Sequence, residues 1–384
     1  MPNSILIDVS RLIWRQWTNR LPTGIDRVCR AYLQHFASRA QAVVQFRRLQ
    51  LILDSADSAR LFNLLLDNPN HYRTRLAQIL GAAALRPARR VDNKLYLNVG
   101  HTGLNSAFLG PWLARRGLKP VILIHDLIPI THPEYCREGE ADRHWQRMTN
   151  ALEAASAMIV NSRATESDLR AFARSRGLPM PPCLVAWLGT DMPPATAVTS
   201  AALSERPYFV MVGTIEARKN HLLILEVWAE LVGRLGAKAP ELVIIGQRGW
   251  EADAAIAILD NLGPLSCHVR ELGRCDDESM ERLIAGAQAM LMPSFVEGFG
   301  LPLVESLQKG VPVIASDVAV FREIAGNIPT CLDPTDRQKW VKAILDYSTD
   351  GSERRRQLKA LQAFHAPTWK SHFALVDEFL ETVY

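Results

Sequence analysis

Tyr208-Phe209-Val210-Met211-Val212-Gly213-Thr214-Ile215-Glu216-Ala217-Arg218-Lys219-Asn220 is the stretch on which the fold turns. Its first five residues are continuously apolar, which suits a short strand covered on both faces. The residues at 220–235 then carry a helical pattern. A glycine and two adjacent cations lie between strand and helix. Outward toward the C-terminus the alternation continues, with strands expected at 242–245, 289–292 and 311–315. Toward the N-terminus, strands are expected at 5–7, 43–46, 95–97, 121–124 and 157–160. Val28, Tyr32, Leu33 and Phe36 share one helical face, residues 102–116 read as helix, and Ser162 caps another helix. The stretch 54–92 reads as helical or loop-rich.

Short apolar strands interleaved with helices imply parallel sheets with helices on both faces. Two such runs imply an α/β protein of two Rossmann-like, doubly wound domains. The segment 191–207, rich in Pro, Ala, Ser and Thr, is the expected linker. The domains expected are 1–195, 196–366 and a terminal helix over 367–384, with Trp369, Phe373, Val376, Phe379 and Leu380 at helical spacing. In such sheets ligands sit outside the carboxyl ends of the strands, so the residues just after each strand carry the functional signal.

Composition agrees with this reading and excludes others. The chain has 384 residues, 48% hydrophobic and 22% charged, which excludes wholesale disorder. No apolar run approaches the roughly 18 residues of a membrane span. The first residues lack the plan of a signal peptide. A net charge of +4 gives no support to nucleic-acid binding. That mean hides an asymmetry: residues 1–200 carry 25 Lys+Arg against 15 Asp+Glu, a net of +10, and the rest a net of −6. The six cysteines include no Cys-x-x-Cys pair, so redox and metal motifs are unsupported and a reducing, cytoplasmic setting is expected.

The segment after the 289–292 strand is Pro293-Ser294-Phe295-Val296-Glu297-Gly298-Phe299-Gly300-Leu301-Pro302-Leu303-Val304-Glu305. Its glycines let backbone approach a ligand, Pro302 suits a first helical turn, and a helix start can hold an anion such as a diphosphate. Glu297 and Glu305 are too far apart in sequence to act as a close pair. They suit hydroxyls at different parts of one ligand. Arg218 and Lys219 suit phosphate neutralisation. A loop with a helix cap and a solvated charge pair are the bland alternatives. Phe295 and Phe299 read equally as packing.

The segment 293–305 resembles the Glu-x7-Glu signature of retaining glycosyltransferases of family 4, and 212–220 is similar to that family's phosphate-binding segment. His125-Asp126-Leu127-Ile128-Pro129 and the turn at 185–191 resemble further segments of the family in order along the chain. The resemblance implies the GT-B fold, two Rossmann-like domains facing a central cleft, with the N-terminal domain binding acceptor, the C-terminal domain binding the nucleotide-sugar, and the terminal helix crossing back to the first. By the resemblance, Glu305 binds the ribose, Glu297 the donor sugar, and the backbone of Gly298, Phe299, Gly300 and Leu301 the sugar and diphosphate. Arg218 and Lys219 stabilise the leaving diphosphate beside Gly213 and Thr214. His125 lies by the reacting sugar, Asp126 orients its loop, and Gly24 takes the place of the first glycine-rich loop. Many members have two glycines there, and an Arg where this chain has Thr214.

The implied activity is a retaining hexosyltransferase of polysaccharide or glycolipid assembly. GDP-mannose is the favoured donor, ahead of GDP-fucose, dTDP-rhamnose and UDP-sugars, because 213–216 and 246–250 look like those of bacterial mannosyltransferases. The acceptor is a saccharide or lipid-linked saccharide. No cofactor or metal is implied, and no Asp-x-Asp occurs in the chain. The alternatives are a GT-B epimerase or phosphorylase and a non-catalytic nucleotide-sugar-binding module. A nicotinamide dehydrogenase is disfavoured, since no Gly-x-Gly-x-x-Gly follows the first strand. His101, His132, His144 and His221 read as loop or surface residues. Trp14 and Trp17 read as packing, or as an acceptor-loop or membrane contact. Arg86, Arg89, Arg90, Arg115 and Arg116 read as a solvated face or as an attractor of anionic lipid or of a diphosphate-linked acceptor, and the localisation expected is cytoplasmic with peripheral contact at the inner face of the plasma membrane.

Overall fold

A computed structural model describes residues 5–67, 71–85, 93–190 and 206–383. The 191–205 part of the expected linker lies outside the described residues, with the expected boundary at 195/196 and Arg86, Arg89 and Arg90. The chain forms two compact units. The first takes the described residues up to Ile130, then Asp142–Leu188, then Trp369 onward. The second takes Thr131–Ala141 and the described residues from Gly189 to Thr368. The contiguous 1–195 span expected from sequence therefore loses residues 131–141, Gly189 and Thr190 to the second unit.

The first unit is built on seven strands: β1 (Ile5–Asp8), β2 (Ala40–Phe46), β3 (Leu49–Ile52), β4 (Leu95–Asn98), β5 (Lys119–Ile124), β6 (Ala157–Val160) and β7 (Cys183–Val185). Their order is β3-β2-β1-β4-β5-β6-β7. All neighbours run parallel except β2 and β3, which form an antiparallel hairpin. The central strands are buried throughout, as the apolar runs at their centres require, with Asp8 and Asn98 buried at the ends of β1 and β4. Ser162 caps the helix Arg163–Arg176, its Oγ accepting from Thr165 N at 3.1 Å, and Gly177 closes that helix in the left-handed conformation. The helix Trp369–Val383 packs within this unit. His372 Nδ1 donates to Trp187 O at 3.0 Å, its Nε2 accepts from Tyr32 Oη at 2.9 Å, and Asp377 pairs with His35 and Arg39.

The second unit holds β8 (Tyr208–Val212), β9 (Glu241–Ile245), β10 (Val269–Leu272), β11 (Ala289–Met292), β12 (Val313–Ser316) and β13 (Thr330–Leu332). The order β10-β9-β8-β11-β12-β13 is all parallel and reverses direction between β8 and β11. That is the doubly wound topology, and its switch point puts the loops after β8 and β11 side by side. The helix His221–Leu235 covers one face, with Trp228 fully buried against Phe209 and its Nε1 donating to Pro240 O at 2.9 Å. Burying a side chain of that size contributes about 3 kcal/mol.

Two local expectations change. Of 102–116, only Leu109–Arg115 is helical, because Gly103 takes φ +74° and Asn98 Nδ2 binds Thr102 O at 2.8 Å, holding a turn there. The stretch 54–92 supplies two helices, Ser55–Asp67 and Tyr72–Ala84, among its described residues.

Candidate functional site

The loops after β8 and β11 meet as the switch point requires. Past the strand ends, residues 213–217 stay paired with 246–250. Gly213 N donates to Ile245 O, Ile215 N to Gln247 O and Gly249 N to Ile215 O, each at 2.9 Å. Two glycines make this approach possible. A Cβ on Gly246 would stand 1.9 Å from Gly213 O, and one on Gly249 would stand 2.6 Å from Thr214 Cγ2. Gly213 itself has φ +138° and faces the end of the Lys219 side chain. Phe295 N donates to Arg218 O at 2.8 Å, which ties the β11 loop to the cations.

The charges collect around Glu297. Arg218 Nη1 donates to Glu297 Oε2 at 2.7 Å, Lys219 Nζ donates to Oε1, and Ser294 Oγ donates to the same oxygen at 2.8 Å. Arg218 Nη2 pairs with Glu216 at 2.6 Å. Burial alone would push the Glu297 carboxyl up. Lys219 and Arg218, with the Ser294 hydroxyl, outweigh it and hold the group down at about 2. Glu216 goes the other way: burial raises it, and its only direct ion pair among the described residues is with Arg218. Glu297 is therefore a fixed anion at neutral pH. Lys219 Nζ carries three hydrogens, of which Glu297 takes one.

Beyond Glu297 the chain enters the helix Leu301–Gln308. Gly300 caps it at φ +96°, with Pro302 in the first turn. A Cβ there would meet Phe321 at 2.6 Å, so both conformation and space call for glycine. Phe299 and Leu301 are buried, and Glu305 is 2% exposed in the second turn of this helix. The structure thus brings Gly213, Thr214, Arg218, Lys219, Glu297, Gly298, Phe299, Gly300, Leu301 and Glu305 onto two adjoining loops and one helix start.

His125, Asp126 and Gly24 belong to the first unit. His125 follows β5 and is 5% exposed. Its Nε2 donates to Val99 O at 2.8 Å, and Asn161 Nδ2 donates to its carbonyl at 2.9 Å. Burial pushes its imidazole down to about 4 against the pull of that bond and of Asp126. The ring is neutral at pH 7, with the proton on Nε2 and Nδ1 as an acceptor. Asp126 Oδ1 accepts from Ile128 N at 3.1 Å, and His144 Nε2 donates to Asp126 O at 3.2 Å. Gly24 is the first residue of the helix Gly24–Phe36 and is not among the residues of positive φ. Asp26 holds that helix start, accepting from Thr23 N at 2.7 Å and pairing with Arg11 at 2.6 Å and Arg15 at 2.8 Å.

Several residues of these sites had no individual assignment from sequence. Ser294 and Glu216 were legible only as parts of quoted segments. Asp26 carries a recognisable signal, since Thr23-x-x-Asp26 has capping-box spacing. His144 and His221, read as loop or surface residues, are buried at 4% and 2% exposure. Trp14 and Trp17 are exposed, which removes packing as their explanation.

The chain is similar to known glycosyltransferases. Residues 198–362 match the family Glycosyl transferases group 1. The serotype-specific mannosyltransferase WbdA of Escherichia coli is 35% identical over 224 residues, 54% of this chain and 27% of that protein. The O-antigen chain mannosyltransferase B of Escherichia coli is 28% identical over 248 residues, 63% of this chain and 65% of that protein. The chain spans about a quarter of the length of the first curated relatives it matches. Among solved structures, Anabaena Alr3699/HepE in complex with UDP superposes with a TM-score of 0.69 over 100% of both chains at 16% identity. Sucrose-phosphate synthase from Thermosynechococcus elongatus does so with a TM-score of 0.65 over 99% of this chain and 98% of that one, also at 16% identity.

The fold is GT-B, an α/β architecture with two sheets each flanked by helices. The match to the group 1 glycosyltransferases spans residues 198–362, the chain is similar to bacterial mannosyltransferases, and glycosyltransferase family 4 fits the match.

Proposed function

We propose that this protein is a retaining hexosyltransferase that takes a nucleotide-sugar donor and builds a polysaccharide or glycolipid. The observation that carries the reading is the buried Glu297 carboxylate held by Arg218, Lys219 and Ser294 beside a helix start. A hydroxyl-accepting anion and two cations at one switch point suit a sugar joined to a diphosphate. The second unit takes the nucleotide-sugar and the first the acceptor. Glu305 serves the ribose, Glu297 the donor sugar, and Arg218 and Lys219 the departing diphosphate. Bond cleavage at the anomeric carbon builds negative charge on that phosphate, and oriented cations stabilise it. The neutralising role falls to side chains, so the reading includes no metal. Attack on the same face, with the diphosphate taking the acceptor proton, accounts for retention. His125, neutral and with Nδ1 as acceptor, serves the sugar beside Asp126.

GDP-mannose is the proposed donor, supported by the mannosyltransferase homologues. The test is a panel of GDP-mannose, GDP-fucose, dTDP-rhamnose and UDP-glucose. A donor that binds the folded protein raises its melting temperature, the stabilisation growing as the logarithm of its excess over Kd. GDP-mannose is expected to give the largest rise, and Glu305→Ala to lose most of it. Product analysis then separates transfer from epimerisation or phosphorolysis. No shift with any member overturns the donor-site reading, and a trapped covalent glycosyl-enzyme overturns same-face attack.

We further propose that the first unit meets an anionic membrane carrying the acceptor. Among the described residues no helix is long and apolar enough to cross a membrane. The unit does expose Trp14, Trp17, Phe46, Leu49 and Phe108. Arg47 lies over Phe46 at 5.5 Å, Arg48 over Phe108 at 4.7 Å and Arg73 over Trp17 at 5.1 Å. Residues 27–53 and 93–125 together hold nine Lys or Arg and no Asp or Glu. Aromatic rings beside cations suit a negatively charged interface. Co-sedimentation is expected with phosphatidylglycerol vesicles, to fall with phosphatidylcholine, and to fall several-fold in Phe46→Ser/Arg48→Ser. Equal recovery from both vesicle types, or none from either, overturns this part.

A further inference from the structure

The segment at 131–141 leaves the first unit after Ile130, packs in the second, and returns at Asp142. Two ring contacts tie it to that unit. The Tyr135 ring lies flat on Phe295, with centroids 4.9 Å apart and 3° between planes. His132 stacks behind Tyr135 at 6.2 Å. Arg137 sits over the Trp250 ring at 4.7 Å. Phe295 belongs to the loop after β11 that carries Glu297, and Trp250 to the loop after β9 that pairs with the cation-bearing loop after β8. Phe295 stands between Ser294, which binds Glu297, and Val296, whose carbonyl faces Arg218 at 3.4 Å. Trp250 closes the other loop, its carbonyl accepting from Ala217 N at 3.4 Å, next to Arg218.

We propose that Tyr135 is a positioning residue for the Glu297 loop, acting through its stack on Phe295, with Arg137 as the second anchor of the same segment. The inference rests on the donor-site reading of Glu297. Two observations support a positioning role over mere surface packing. Phe295 is the residue whose backbone N–H binds Arg218 O, so tilting its ring moves the link between the carboxylate loop and the cations. Tyr135 rests on the loop after β11 and Arg137 on the loop after β9, and each of those loops binds the loop after β8 that carries Arg218 and Lys219, so the segment bridges the two flanks of one site. The stack needs the ring and not the hydroxyl, since the described contacts of Tyr135 are ring contacts and its own backbone turn.

The test measures Kd for GDP-mannose and UDP-glucose by calorimetry, on the full chain. The tighter ligand is then used for a double-mutant cycle. An offset stack of this kind corresponds to about three- to tenfold in an equilibrium constant. Tyr135→Ala is therefore expected to weaken binding by about that factor. Tyr135→Phe is expected to restore it to within about twofold. In a Glu297→Gln background, Tyr135→Ala is expected to have no further effect, because the group it positions is gone. If Glu297→Gln alone leaves Kd unchanged, or neither ligand binds the unmodified protein, the donor-site reading falls and this inference with it. If Glu297→Gln weakens binding but Tyr135→Ala is silent, or adds its full effect in the Gln background, only the positioning role is overturned. Melting temperatures of the five proteins keep loss of fold apart from loss of binding.

Discussion

Lys219→Ala is expected to lose about a hundred- to thousandfold in kcat with a smaller change in KM for the donor. Lys219 is the strongest single opponent of the burial that would otherwise neutralise Glu297. Removing it leaves Arg218 at 2.7 Å and Ser294 at 2.8 Å on the carboxylate, enough to keep the loop in place. Ground-state binding of the sugar then survives in large part. What is lost is a cation beside the leaving phosphate, where charge grows only as the bond breaks, so the loss falls on turnover. Arg218→Ala is expected to behave differently. Arg218 also neutralises Glu216, whose side chain is 3% exposed. Its removal strands a buried carboxylate and lowers stability as well as rate. Steady-state kinetics with the donor from the nucleotide-sugar panel decides the matter. A Lys219→Ala enzyme whose kcat stays within a factor of a few of the unmodified protein sinks the assignment of Lys219 to the leaving group.

Much of the fold was legible because the central strands are short and each carries a run of three or more consecutive apolar residues. β1, β2, β4, β5, β6, β8, β9, β11 and β12 all overlap the expected positions. The strands missing from the expectation are β3, β7, β10 and β13, and each is a sheet edge. An edge strand is covered on fewer sides, so its sequence need not be apolar. Val269-Arg270-Glu271-Leu272 holds two charges, and Thr330-Cys331-Leu332 is only partly buried. Periodicity cannot mark such runs. The charged site was readable for a related reason. Glycine and charge at a strand end are local features, and the switch point brings strand ends together without further information. Contacts such as Ser294 with Glu297 or Glu216 with Arg218 depend on side-chain direction within a loop. The Tyr135–Phe295 stack joins positions far apart in sequence, and neither residue differs locally from an ordinary aromatic. Trp14 and Trp17 failed the packing reading because their helix is only Ser10–Trp17, with both indoles at its solvent side.

Gly246→Ala is expected to be the most damaging single-methyl change in the second unit, at about 2–4 kcal/mol of stability. The cause is space and not conformation, since Gly246 is not among the residues of positive φ. A methyl there falls 1.9 Å from Gly213 O, 2.6 Å from Gly213 C and 3.3 Å from Thr214 N. All three are backbone atoms, which no rotamer change can move aside. Relief requires the loop after β8 to separate from the loop after β9, and that loosens the pairing of 213–217 with 246–250. At about 2–4 °C per kcal/mol for a unit of this size, the melting temperature is expected to fall by about 5–15 °C. Gly233→Ala is the matched control. Gly233 lies within the helix His221–Leu235 and its added Cβ meets nothing within 4 Å, so that variant is expected to gain about 0.5–1 kcal/mol. The same separation displaces Gly213 and the chain leading to Arg218 and Lys219. Nucleotide-sugar affinity is therefore expected to fall in Gly246→Ala even at temperatures where the protein remains folded. A variant that melts within a degree of the unmodified protein refutes the close approach of the two loops. One that melts early yet binds the nucleotide-sugar unchanged keeps the approach but removes its role in placing the cations.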